Sequence, residues 1–158
     1  MDYVDDYLFD GIRILLGEDG TVIDDDGKPI LQYVWGKYWV NNHAHILKAS
    51  SIYPLEAIYV ALSRTVINHI VTGAVQMKIS QRNLKSLRLA MPDPDAISDL
   101  GTLFEAYRQN VDENKKLEGI RDSLLPKLMS GEIDVSEVEV PTLLNNHLSF
   151  GACGSSAL

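Results

Sequence analysis

The chain has 158 residues, 46% hydrophobic and 23% charged, which fits one modest soluble domain plus an appended element. A lone cysteine, Cys153, excludes an intrachain disulfide and fits a reducing compartment. The acidic start MDYVDDYLFD lacks signal-peptide character and no apolar run reaches spanning length, so a cytoplasmic protein with no membrane partner is expected. The net charge of −8 speaks against a nucleic-acid partner until its distribution is read. Residues 1–30 carry nine acids against Arg13 and Lys28; residues 93–158 carry twelve acids against five bases. Residues 31–92 hold Lys37, Lys48, Arg64, Lys78, Arg82, Lys85 and Arg88 against Glu56 alone, a basic block of net +6. The competing reading is a chance mixture of solvated surface residues.

In chain order, the first half reads as β. Short Ile/Leu/Val/Tyr/Trp runs over 12–40 alternate with the hairpin dipeptides Asp19-Gly20 and Asp26-Gly27, and Gly36 suits a turn or bulge between aromatic runs. HAHILKA, 43–49, offers one more strand. From Pro54 the period changes: Leu55, Ile58, Tyr59, Leu62, Val66 and Ile70 predict an amphipathic helix over 55–71, with Gly73 past its end. AVQMKIS is a short strand or a loop, residues 81–85 form one helical turn capped by Ser80, and LRLAMP, 87–92, returns to a strand.

A long helix follows, with Asp93 as cap and Pro94 in its first turn. Ile97, Leu100, Phe104, Tyr107 and Val111 form a packing stripe that slips by one position and resumes at Leu117, Ile120, Leu124 and Leu128. As one helix, residues 94–125 would span about 48 Å, longer than the preceding globule needs, so the helix is expected to project and to seek a partner. Pro126 should kink or restart it, and Gly131 should end it. The apolar end at Leu124, Leu125, Leu128 and Met129 then needs a cover, either another helix or subunit, or the chain's own domain. The class is α+β: a β-rich part over 1–92, a protruding coiled-coil-type helix over 93–130, and a tail over 131–158 expected to be partly disordered.

Three constellations imitate chemistry. Pro92-Asp93 with Glu113-Asn114-Lys115 mimics a metal-dependent nuclease pattern, but Glu113 and Lys115 lie mid-helix, where positions two apart do not share a face, roughly 30 Å along the axis from Asp93. His43-Ala44-His45 could place two imidazoles on one strand face, but no third ligand has obvious spacing, since His69 lies on the predicted helix and His147 in the tail. A polar-network role is preferred. Asp24-Asp25-Asp26-Gly27 lacks the rest of a calcium loop and reads as an exposed turn. Phosphate loops, ATPase signatures and nucleophile elbows are absent, so no catalytic residue, metal or cofactor is assigned.

What remains is WGKYWVNNHAHIL and GAVQMKISQRNLKSLRLAMP, both in the basic block. They combine cations that suit phosphates with amides that suit base edges. Composition and adjacency select Lys37, Asn41, Asn42, Gln76, Lys78, Ser80 and Arg82 as DNA-contacting candidates, with Trp39 and His43 assigned to supporting the fold. An ordinary polar strand rim is the alternative.

The order of YLFDGIRILLGEDG, VNNHAHIL, GAVQMKISQRNLKSLRLAMP and a long helix ending LEGIRDSLLPKLMSGEI resembles the specificity subunit of type I restriction–modification systems, over roughly residues 3–138. The resemblance implies a non-catalytic subunit. Its target recognition domains read double-stranded DNA, and its spacer helices pair antiparallel. Modification (methyltransferase) and restriction subunits dock on it and supply the chemistry. Against that pattern the chain is expected to hold about half of a subunit and less than one full recognition domain, the segment before DYLFDG being absent. An orphan half-subunit that dimerises or assembles through its helix is the alternative function.

Overall fold

The computed structural model describes residues 6–73 and 75–136. The expectations for His147, Cys153 and the tail beyond Ser136 lie outside the described residues. Two compact units divide the chain, one up to Asp112 and one from Glu113, so the boundary falls inside the last helix.

The first unit opens with β1 (Phe9–Asp10) and β2 (Arg13–Gly17), followed by β3 (Leu31–Val34), β4 (Lys37–Tyr38) and β5 (Ala44–Leu47). β2 is the centre of an antiparallel sheet in the order β3-β2-β5, while β1 and β4 pair as a separate ribbon. The alternation along β2 sets the two faces: Ile14 and Leu16 are buried, and Arg13, Leu15 and Gly17 point to the other side. Asp24 organises the turn before β3, its Oδ1 accepting from the amides of Asp26 (3.0 Å) and Lys28 (2.8 Å).

Helix α1 (Leu55–Ser63) is shorter than its pattern suggests. The periodic residues run on to Ile70, but Thr65-Val66-Ile67 is β-branched and resists helix. The Thr65 amide donates to the Leu62 carbonyl at 3.0 Å, closing the end. Ile67 then leaves the helical path, is fully buried, and donates its amide to the Gly27 carbonyl at 2.8 Å. A 3₁₀ turn (Asn68–Ile70) leads into β6 (Val71–Thr72), which pairs antiparallel with β7 (Lys78–Ile79). Leu16, Val22, Ile67, Ile70 and Ile79 make the core, with Leu31, Met77, Leu84 and Leu87 packed around it. Val66, counted in the predicted stripe, is instead half exposed, and Ala57 and Ala61 are buried in its stead.

The capping readings around α2 (Gln81–Lys85) and α3 (Pro94–Met129) match the structure. Ser80 Oγ accepts from the Asn83 amide at 3.1 Å and Asp93 Oδ1 from the Ala96 amide at 2.8 Å. One reading needs correction, and one of the two outcomes expected at Pro126 drops out. Residues 87–92 form no strand, because the Leu87 amide turns back to the Leu84 carbonyl and no neighbouring strand pairs with the segment. Helix α3 does not restart at Pro126 but continues through it to Met129. That position lies in the final turn, and the Ser130 amide still reaches the Pro126 carbonyl at 2.9 Å. Gly131, at φ +72, closes the helix, with the Glu132 amide donating to the Lys127 carbonyl at 3.0 Å.

Candidate nucleic-acid interface

All seven cations of the 31–92 block are exposed. Its single acid is not: Glu56 is largely buried and accepts from Arg108 Nη1 at 3.1 Å and from the Tyr33 hydroxyl at 2.7 Å. The carboxylate that could offset the block is therefore neutralised by an arginine from outside it, and the surface this segment offers to solvent carries positive charge alone.

The two stretches singled out in the sequence meet in space. The Glu18 amide donates to the His43 carbonyl (2.9 Å), and the Ile79 amide donates to the Glu18 carbonyl (2.8 Å). His45 Nε2 lies 2.7 Å from the Ile79 carbonyl, where it can only donate. The histidine pair thus serves as a clamp. His43 Nδ1 faces Asp19 Oδ2 at 3.1 Å, and among the described residues no group of three or more His, Cys, Asp or Glu side chains is arranged to hold a metal ion.

Every DNA-contacting candidate is exposed. Lys37 sits on β4 opposite Asp10, its ammonium 4.6 Å from the centre of the Tyr7 ring. Asn41 Oδ1 accepts from the His43 amide at 3.1 Å, leaving its NH₂ outward, and Asn42 follows in the same turn. Gln76 lies in the loop before β7, on which Lys78 pairs with Thr72 and bridges to Asp19. The Ser80 hydroxyl is engaged in capping α2, whose second residue is Arg82. Trp39 departs from the role expected of it: at 53% exposed it does not support the fold from within.

Trp39 instead walls a cleft of about 350 Å³ on the outer face of the β3-β2-β5 sheet. Its floor is Leu15, Gly17 and Ala44, and its rim bears Thr21, Gln32, Asn41 and His43. Gly17 and Ala44 stand opposite each other in the register, and two such small side chains keep the floor low.

Helix α3 is fastened within the first unit by one face. Phe104 packs edge-on against Tyr33 (centroids 5.0 Å) and Tyr59 (5.7 Å), Tyr107 against Trp35 (5.8 Å), and the Trp35 indole N–H donates to the Asp112 carboxylate at 3.1 Å. Arg108 joins the same mount through Tyr33 and Glu56. Burial, and then the Glu56 carboxylate beside it, push the Tyr33 phenol well above its ordinary range. Phe104 and Tyr107, read from the sequence as part of the stripe for a partner helix, also touch Tyr33, Trp35 and Tyr59 of their own domain, and Tyr107 remains half exposed. Ile97, Leu100 and Val111 are partly buried, and Leu100 lines a shallow apolar groove with Val60, Pro92, Ala96 and Leu103. In the second unit Leu117, Ile120, Leu124 and Leu128 are all exposed, with Leu125 and Met129 beside them.

No protein-family model matches the chain. Over 105 residues it is 23% identical to a Haemophilus influenzae (strain Rd) protein assigned as the specificity subunit of a type I restriction enzyme. The chain is similar to such a specificity subunit. The match takes in 66% of this chain but 27% of that subunit's length.

The specificity-subunit resemblance alone would not have found Gln32, Thr21 or Trp39 as cleft residues. Thr21 and Gln32 lie nine or more positions from the Asn41–His43 turn; Gln32 nears it through the β3-β2-β5 pairing and Thr21 through the bend after β2. The strand RILLG shows no polar alternation, so only the burial of Ile14 and Leu16 in the structure places Leu15 and Gly17 on the non-core face.

Proposed function

We propose that this chain is the DNA-reading and helical-spacer part of a type I restriction–modification complex. On this reading it is non-catalytic and acts in the cytoplasm. The β-rich part binds double-stranded DNA, and the long helix engages modification and restriction subunits. The observation that carries the reading is the stitching of two basic, amide-bearing stretches, 37–45 and 76–82, through Glu18 and the His45–Ile79 hydrogen bond. Cations for phosphates and amides for base edges then lie on neighbouring elements, as DNA recognition requires. Similarity to a specificity subunit supports the same assignment. The test is to mix the chain with a cognate modification subunit and ask whether the complex protects one duplex sequence over others. Selective protection is expected; a complex that retains no duplex overturns the proposal.

The exposed apolar residues of the second unit favour an accompanying reading, in which Leu117, Ile120, Leu124 and Leu128 join a second helix, from another copy or from a modification subunit. Analytical sedimentation and a pull-down check it. A monomer that captures no modification subunit would dismiss it.

A further inference from the structure

We infer that the uncharged cleft beside Trp39 is the part of the surface that reads base identity, with Gln32 and Asn41 as its specificity-determining side chains. This rests on the DNA-binding reading above and assigns a division of labour within it.

The lining decides the chemistry. No lysine, arginine, aspartate or glutamate lines the cleft, so it has no cation to attract a phosphate. Its polar groups are amides, a hydroxyl and an imidazole, and they include both donors and acceptors. The Asn41 oxygen is taken by the His43 amide, so that side chain offers its NH₂ as donor. Gln32 is exposed on β3 and offers one donor and one acceptor group. The Asp19 carboxylate can only accept, which fixes a proton on His43 Nδ1 and, in the neutral ring, leaves Nε2 as acceptor. Thr21 supplies a hydroxyl of either sense. A flat neutral group with alternating donors and acceptors matches this set, and a base edge is such a group. The half-exposed indole of Trp39 offers an apolar face for a thymine methyl or a ring, and Gly17 with Ala44 leaves depth below it. The cations lie outside the cleft, on β4, β7 and α2, where they suit the backbone. Charge therefore supplies affinity and register, while the neutral cleft supplies discrimination.

The experiment uses the full chain and a randomised duplex library, with and without substitutions that leave charge unchanged. Gln32→Ala removes an exposed amide. Asn41→Ser keeps an oxygen for the His43 amide while removing the NH₂, which guards against a trivial loss of fold. Wild-type protein should enrich a motif. Gln32→Ala should relax it at one position by about five- to hundred-fold, the discrimination of one bidentate contact, and Asn41→Ser by about five-fold, since its NH₂ alone is offered. Thermal midpoint, affinity for random duplex and the salt dependence of binding should stay as in wild type, because no cation is touched. A wild-type chain that retains no duplex topples the DNA-binding reading and this inference with it. If wild type holds duplex without enriching any motif, or both variants enrich the wild-type motif, the inference alone falls and DNA binding stands.

Discussion

Replacing Arg108 with alanine tests the mount that holds α3 to β3 and α1. Arg108 and Glu56 side chains are 20% and 12% exposed, so their ion pair is mostly withdrawn from water. Removing the guanidinium leaves the Glu56 carboxylate with the Tyr33 hydroxyl as a donor but without its ion-pair partner. Breaking a fully buried pair costs about 3–5 kcal/mol, and the residual exposure here brings the expectation to about 2–3 kcal/mol. With a urea slope of about 1.5–2 kcal/mol/M, the unfolding midpoint should fall by roughly 1–2 M. The companion double variant Arg108→Met with Glu56→Leu should recover most of that loss, since a filled apolar site has no stranded charge. The reasoning is refuted if Arg108→Ala shifts stability by less than about 0.5 kcal/mol, or if the double variant loses the sum of the two single losses.

Three further outcomes are expected. Because the Tyr33 phenol is held above its ordinary range, the folded state keeps that proton where the unfolded chain releases it. Its contribution is thus full below the usual phenol range near pH 10 and declines as pH rises beyond it. Ultraviolet titration of the native protein should show the same ionisation around pH 10 in wild type and Tyr33→Phe; a phenol signal in that range lost in the variant contradicts the burial argument. Gly27→Ala should destabilise by about 2 kcal/mol in denaturant melts, because φ is +76 and a Cβ there would lie 2.3 Å from Asn68 Oδ1. An Asn68→Ala background should relieve the clash and leave only the backbone strain. Lys78→Ala with Arg82→Ala should lower the slope of log K against log salt by about 1.8 for duplex binding, and an unchanged slope removes both residues from the phosphate contacts.

Local rules carried much of the fold into the sequence. Ser80 and Asp93 could be read as caps because a cap depends on four consecutive residues, and the Asp24 turn is similarly local, spanning five. The end of α1 was not legible by periodicity, since Ile70 keeps the stripe in phase although the β-branched Thr65–Ile67 run has already diverted the chain. The strand expected over 87–92 had the right residue types but no pairing partner, which composition cannot reveal. The site divides in the same way. Charge distribution marks Lys37, Lys78 and Arg82 as candidates and adjacency marks Asn41, and all four are exposed. Gln32 joins them by sheet register and Thr21 through the bend after β2, and Trp39, read as supporting the fold, is half exposed beside the cleft. The aromatic mount was also hidden: spacing placed Phe104 and Tyr107 on one stripe of α3, but which surface the stripe meets depends on Tyr33, Trp35 and Tyr59, dozens of residues upstream.

The attachment of α3 within the first unit draws on Phe104, Tyr107, Arg108 and Asp112, positions three, four and eight apart along a single stripe. Outward positions on the same turns, such as Glu105, Gln109 and Asn110, are exposed and stand outside those contacts. The helix can therefore accept a rewritten outer face over these turns without being unseated. Divergence in what it meets there is decoupled from the integrity of the body that carries it.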